Sequence, residues 1–225
     1  MPTMLRSLLY DRIKSLLDKV SCHLNRHEVH PSHLTLCGLF INAFGGLLYG
    51  YGHFLTGSMV ILIAGVFDML DGALARTADK ASKFGAFTDS VVDRYSDFLI
   101  FGGLLIFFAR TGHVGFVSLV LVVIAGALLT SYTKARAESL IQHCDVGWIE
   151  RPERIVIICA GGIFQFLIPA LWFLAFTTHL TAFQRIYYTW NETVGKNLWQ
   201  APAPDTKNDT SSAQSTRPYR KPREV

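Results

Sequence analysis

Apolar residues run through most of this chain in long blocks separated by short polar breaks, and the blocks have the length of helices rather than strands. Six of them fall at about 33–51, 56–77, 84–109, 114–138, 153–167 and 168–190. A helix needs roughly 20 apolar residues to cross a bilayer, and all but the fifth block come near that length. The fifth is short, and only Gln165 and Pro169 separate it from the sixth. Ahead of the blocks, Leu5, Leu8, Leu9, Ile13, Leu16 and Leu17 recur at helical spacing among Arg6, Arg12, Lys14 and Lys19. That pattern predicts an amphipathic helix in residues 1–30, lying in the membrane interface. His30-Pro31-Ser32 ends it, and Pro31 suits the start of the next helix, where its missing N–H is not needed. Residues 200–225 lose all apolar periodicity and read as a disordered polar tail. The pattern therefore predicts an all-α polytopic membrane protein: six transmembrane helices over residues 31–190, preceded by the interfacial helix.

Composition agrees. Half of the 225 residues are hydrophobic, only 17% are charged and mean hydropathy is +0.30. Soluble domains carry about 25% charged residues, so a soluble enzyme, a disordered chain and a nucleic-acid module are excluded. The net charge of +4 belongs instead to Lys and Arg beside membrane helices. The breaks near 50–55, 111–114 and 165–169 hold no Lys or Arg, with Arg110 at the edge of one. The remaining basic residues fall on the amino-terminal side, which by the positive-inside rule places both termini in the cytoplasm. Cys22, Cys37, Cys144 and Cys159 show no metal-binding spacing and read as unpaired packing cysteines.

The chemistry is carried by acids. Asp68 and Asp71 close one apolar run, and Asp89 and Asp93 open the next. A carboxylate in a span costs about 2.5–3.5 kcal/mol on insertion scales, so four of them together point to function. Spacings of three and four put each pair on one helix face. The polar connection near 77–83 is short, which predicts that the two helices are antiparallel neighbours with all four acids converging. An all-oxygen set suits Mg²⁺ or Mn²⁺, and four acids suit two ions in a phosphoryl-transfer centre. Gly72 and Gly85 flank the acids, either to admit a ligand close to the backbone or to pack two helices. Arg76 stands one turn beyond, suited to a phosphate oxygen or a carboxylate. Asp97, a further turn along its helix, reads as a polar residue paired with Arg94. His23, His27, His30 and His33 read as solvated or headgroup-facing side chains.

From Asp68 to Asp93 the chain carries DxxDGxxARx8GxxxDxxxD at every fixed position, and in this it resembles the CDP-alcohol phosphotransferases. That resemblance implies transfer of a phosphatidyl or phosphoalcohol group from a CDP-linked donor to an acceptor hydroxyl, with release of CMP. It implies metal binding by Asp68, Asp71, Asp89 and Asp93, with Asp93 also the general base. Gly72, Arg76, Ser82 and Gly85 would contact the donor, CDP-diacylglycerol. So would Pro31, Ser32, His33 and Leu34, which resemble a Pro-Asn-x-Leu-Thr stretch except that Ser32 replaces Asn. A homodimer in the cytoplasmic membrane is implied as well.

The acceptor is read from cations. Lys134, Arg154 and Arg185 lie in or beside the later spans, whereas Arg136 and Arg151 read as snorkelling cations at helix ends. Several cations beside the metals suit an acceptor that carries its own phosphate. Ser131-Tyr-Thr-Lys134-Ala-Arg136-Ala-Glu138 and Glu150-Arg-Pro-Glu153-Arg154 resemble the prokaryotic phosphatidylinositol-phosphate synthase branch. That resemblance assigns Ser131, Lys134, Arg154 and Arg185 to an inositol-phosphate pocket. Glycerol 3-phosphate, giving phosphatidylglycerophosphate, is the alternative acceptor. A divalent-cation transporter or a non-catalytic scaffold fits less well, because the half opposite the acids offers few polar positions.

Overall fold

The computed structural model describes residues 20–21, 31–77 and 82–195. Six α-helices account for nearly all of them: α1 (Pro31–Gly50), α2 (Phe54–Thr77), α3 (Lys83–Arg110), α4 (Val114–Glu138), α5 (Arg151–Ile163) and α6 (Leu167–Gly195). No strand occurs among the described residues. The interfacial helix proposed for residues 1–30, except residues 20–21, the histidines His23, His27 and His30, and the tail at 200–225 lie outside them.

The breaks have local causes. Gly52 and Gly112 adopt φ of 84° and 75°, a region open to glycine at little cost, and each reverses the chain in a tight turn. Gln165 takes the left-handed conformation at φ 61° and separates α5 from α6, while Pro169 sits harmlessly in the first turn of α6. At the start of α3, Ser82 accepts a hydrogen bond from the Gly85 N–H at 2.9 Å, a side-chain cap. At the start of α5, the Glu150 N–H donates to Glu153 at 3.0 Å, and Pro152 occupies the first turn.

The helices pack in a ring in the order α1, α2, α5, α6, α4, α3 and back to α1. This corrects one expectation from the sequence: α2 and α3 form no comparable packed pair, although the connection between them is short. Both pack on α1 instead, because glycines let the backbones approach. A Cβ on Gly103 of α3 would collide with the carbonyl oxygen of Gly46 on α1, and one on Gly57 of α2 would lie 3.1 Å from that of Gly45. Acids of α2 and of α3 nevertheless face one cavity.

Tyr49, Ile61, Phe101, Leu104, Val120, Ile158, Leu171 and Leu174 are fully buried in one core. Large apolar side chains also cover the outside, among them Phe40, Phe44, Leu47, Leu121, Trp172, Phe176 and Phe183. A surface of that kind is stable in lipid, not in water. Four helices, α1, α2, α4 and α6, are long and apolar enough to span a membrane. The molecule is an integral membrane protein built from helices. Helix α5, at 13 residues, reaches about 20 Å at 1.5 Å per residue, less than a hydrocarbon core of about 30 Å. Of the cysteines, Cys37, Cys144 and Cys159 are free thiols and the last two are buried.

Candidate active site

Asp68 and Asp71 stand near the end of α2, and Asp89 and Asp93 in the first turns of α3. Asp71 is buried and accepts a 2.6 Å hydrogen bond from Thr35 of α1. Gly38, one turn along α1, leaves room for Asp68: a Cβ there would lie 2.7 Å from Asp68 Oδ1. Asp68, Asp89 and Asp93 line a cavity of about 400 Å³ whose other walls are mostly apolar, with Leu62, Val66 and Ile155 among them, joined by Asn42 and Arg151. Gly72 and Gly85 do not serve helix packing. A Cβ on Gly72 would meet only Arg76 Nη1 at 3.5 Å, and one on Gly85 only Ser82 Oγ at 3.0 Å. Their open surroundings favour the reading in which a ligand approaches the backbone. Arg76 and Ser82 are exposed. So are Ser32 and His33, whereas Leu34 is buried and Thr35 touches Asp71.

A cation sits among the acids, and it is Arg151. Its side chain, 19% exposed, places Nη1 2.8 Å from Asp68 Oδ2 and 2.5 Å from Asp93 Oδ1, with Nε 3.5 Å from Asp97 Oδ1. The snorkelling reading of Arg151 is therefore wrong, because α5 packs on α2 and turns its first residue inward. The pairing of Asp97 with Arg94 is wrong as well. Asp97 Oδ2 takes Arg154 Nη2 at 2.6 Å, while Arg94 bonds back to the Ser90 carbonyl of its own helix. No group of three His, Cys, Asp or Glu side chains among the described residues is drawn tightly enough to enclose an ion. The donor set nevertheless suits a hard cation: oxygen atoms only, already gathered about a positive group.

A second cavity, of about 360 Å³, adjoins the first and is lined mostly by charged and polar side chains, with Ala135 and Pro152 among them. Ser131, Lys134, Arg154 and Arg185 all line it, together with Glu150. The cations are not equivalent. Arg154, 2% exposed, is tied to Asp97 and to Thr130 Oγ1 at 3.0 Å. Arg185 donates to the carbonyls of Val146 at 2.8 Å and Thr130 at 2.6 Å. Its Nη2 also reaches Glu150 Oε1 at 3.1 Å, the same oxygen that Lys134 Nζ meets at 2.9 Å. The hydrogen bond from Lys134, joined by the charge of Arg185, holds the Glu150 carboxyl below its ordinary value of 4.5, although partial burial opposes them. Gly147 makes this possible. Its φ of 137° favours glycine, and a Cβ would press on Thr181 and Arg185. Asp93, Arg151 and Pro152 line both cavities.

Sequence reasoning gave no site role to Arg151 or Gly38, and named Thr35 and Glu150 only as members of longer stretches. Arg151 and Arg154 are three apart and share a helix face, a signal that was available. Nothing local marks Gly38.

Residues 28–186 match the CDP-alcohol phosphatidyltransferase family. The chain is 36% identical over 198 residues to a phosphatidylinositol phosphate synthase of Mycobacterium marinum, covering 83% of this chain and 84% of that one. It is 35% identical over 185 residues to an archaetidylinositol phosphate synthase of Methanothermobacter thermautotrophicus, covering 79% and 90%. The crystal structure of the Mycobacterium tuberculosis phosphatidylinositol phosphate synthase with CDP-DAG bound superposes with a TM-score of 0.73 at 32% identity, over 78% of this chain and 94% of that one. The same synthase, in complex with manganese and citrate, gives 0.69 at 34% identity over 77% and 88%. A match over most of the chain, with the aspartate signature intact inside it, makes this protein an enzyme of the CDP-alcohol phosphatidyltransferase family.

Proposed function

We propose that the enzyme transfers the phosphatidyl group of CDP-diacylglycerol to a hydroxyl of inositol phosphate and releases CMP. The observation that carries this reading is that Asp93 lines both cavities. The acidic, largely apolar cavity suits a lipid donor, whose acyl chains stay in the bilayer while its pyrophosphate meets the acids. The polar cavity suits a small phosphorylated alcohol. A carboxylate on the wall between them can accept the proton of the acceptor hydroxyl. The acceptor oxygen then bonds to the phosphatidyl phosphorus, the bond to the CMP oxygen breaks, and CMP leaves with the electron pair.

Asp68, Asp71, Asp89 and Asp93 would hold divalent cations, two Mg²⁺ or Mn²⁺ ions on this reading. Bound there, such ions supply positive charge against the pyrophosphate and the leaving group. Gly72 and Gly85 leave the backbone open to the donor, and Arg76 and Ser82 flank it. Lys134 and Arg185 would meet the acceptor phosphate by releasing Glu150, while Arg154 and Ser131 complete the wall. On the same reading α3 and α5 complete six spans after an interfacial helix in residues 1–30. The catalytic domain is residues 31–190, the tail is residues 200–225, both termini are cytoplasmic, and the enzyme is a homodimer.

The test is purified protein with CDP-diacylglycerol, Mg²⁺ and, separately, inositol, inositol phosphate and glycerol 3-phosphate, with the lipid product identified by mass. Phosphatidylinositol phosphate as the main product is expected. Equal use of free inositol overturns the phosphate pocket, and a preference for glycerol 3-phosphate moves the enzyme to phosphatidylglycerophosphate synthesis.

A further inference from the structure

Asp68 and Asp93 come from different helices that do not pack on one another, yet their carboxylates share a single nitrogen of Arg151. Two like charges on a largely dry wall repel strongly, and that guanidinium is what lets them stand together. It is held to no other partner more closely, since its contact with Asp97 is the longest of the three and Asp97 already has Arg154. The oxygens that it occupies, Asp68 Oδ2 and Asp93 Oδ1, belong to the carboxylates that the aspartate signature assigns to metal.

We propose that Arg151 is the resident counter-ion of this carboxylate cluster. It is a positioning residue that holds Asp68 and Asp93 together while no divalent cation is bound and is displaced when one binds. The proposal rests on the reading of the aspartates as metal ligands. Arginine and metal compete for the same oxygens, so Arg151 lowers the apparent metal affinity and stabilises the metal-free protein. Its way out is the adjoining polar cavity, whose wall it also forms.

The decisive measurement is direct Mn²⁺ binding to the purified full-length protein, by the electron paramagnetic resonance of free Mn²⁺, in wild type, Arg151→Gln, Arg151→Lys and Asp68→Asn. Loss of a charge-assisted competitor predicts that Arg151→Gln binds Mn²⁺ on the order of tenfold more tightly, with Arg151→Lys in between. Thermal unfolding should show Arg151→Gln weakened in chelator and restored towards wild type by Mn²⁺. Equal or weaker Mn²⁺ binding by Arg151→Gln overturns the proposal while leaving the metal reading intact. Wild type that binds Mn²⁺ no better than Asp68→Asn overturns the metal reading, and the proposal with it. If the Gln variant does not fold, the wild type alone decides by phenylglyoxal labelling mapped by mass spectrometry. Arg151 should be protected in chelator and become reactive with Mn²⁺, and no increase overturns the proposal.

Discussion

The two cavities are close to equal in size and opposite in character. The first pairs carboxylates with apolar walls, and its one intruding cation comes from a neighbouring helix. The second is lined mostly by charged and polar side chains, and its cations are largely neutralised from within, by Glu150 and by backbone carbonyls. The difference matches the two kinds of substrate. A lipid donor needs an apolar slot with charge at one end only. A water-soluble phosphate needs a polar pocket whose cations are already satisfied, because an unpaired buried cation is costly. The residues that supply these internal counter-charges, Glu150 and Arg151, are neighbours in sequence at the start of α5. One short helix thus closes both sites.

The largest break in this comparison should come from the acids. Asp68→Asn and Asp93→Asn are expected to lower kcat by roughly 10²–10⁴, the range for loss of a general base or of a charge aimed at the reacting phosphate. Excess chelator should abolish turnover of the wild type, and Mg²⁺ should restore it. An enzyme that turns over CMP at the wild-type rate in chelator refutes the metal reading. Next, Lys134→Gln should raise the acceptor KM about tenfold to a hundredfold and leave the CDP-diacylglycerol KM nearly unchanged, since a charge-assisted contact is worth roughly 1.5–3 kcal/mol. A shift confined to the donor KM would show that the cavities are assigned the wrong way round.

Glycines sharpen the contrast between packing and binding. Gly103→Ala should destabilise the fold by about 1–3 kcal/mol through overpacking against Gly46. Gly72→Ala meets almost nothing and should leave thermal stability unchanged while raising the donor KM. Equal loss of stability in both variants would return Gly72 to a packing role. The smallest effect belongs to Glu150. Its carboxyl lies below the ordinary value, so its stabilising contacts are present above about pH 4.5 and are lost as pH falls through the lower folded value. The difference in melting temperature between wild type and Glu150→Gln should therefore hold between pH 7 and 5 and vanish in stronger acid. A difference that fades between pH 7 and 6 would assign the effect to another group.

Much of the molecule was legible in the residues alone. Periodicity and length placed all six helices within a few residues, because a run of apolar residues in a bilayer has no alternative to satisfying its own backbone as helix. The aspartates were legible because a charge in an apolar run is improbable without function, and fixed spacing gives each pair one face. The partners were not legible. Asp97 finds Arg154 across 57 positions and Asp68 finds Arg151 across 83, and no local pattern encodes such distances.

The amino-acid sequence by itself determined the helices, the membrane setting, the acid cluster and the family, since each depends on residue type and near-neighbour spacing. The tertiary structure alone decided which helices touch and which charges meet. α2 and α3 each pack on α1 rather than on one another, and α5 brings Arg151 to both Asp68 and Asp93. That choice depends on where glycines allow backbones to approach, and it is settled only when the whole ring closes.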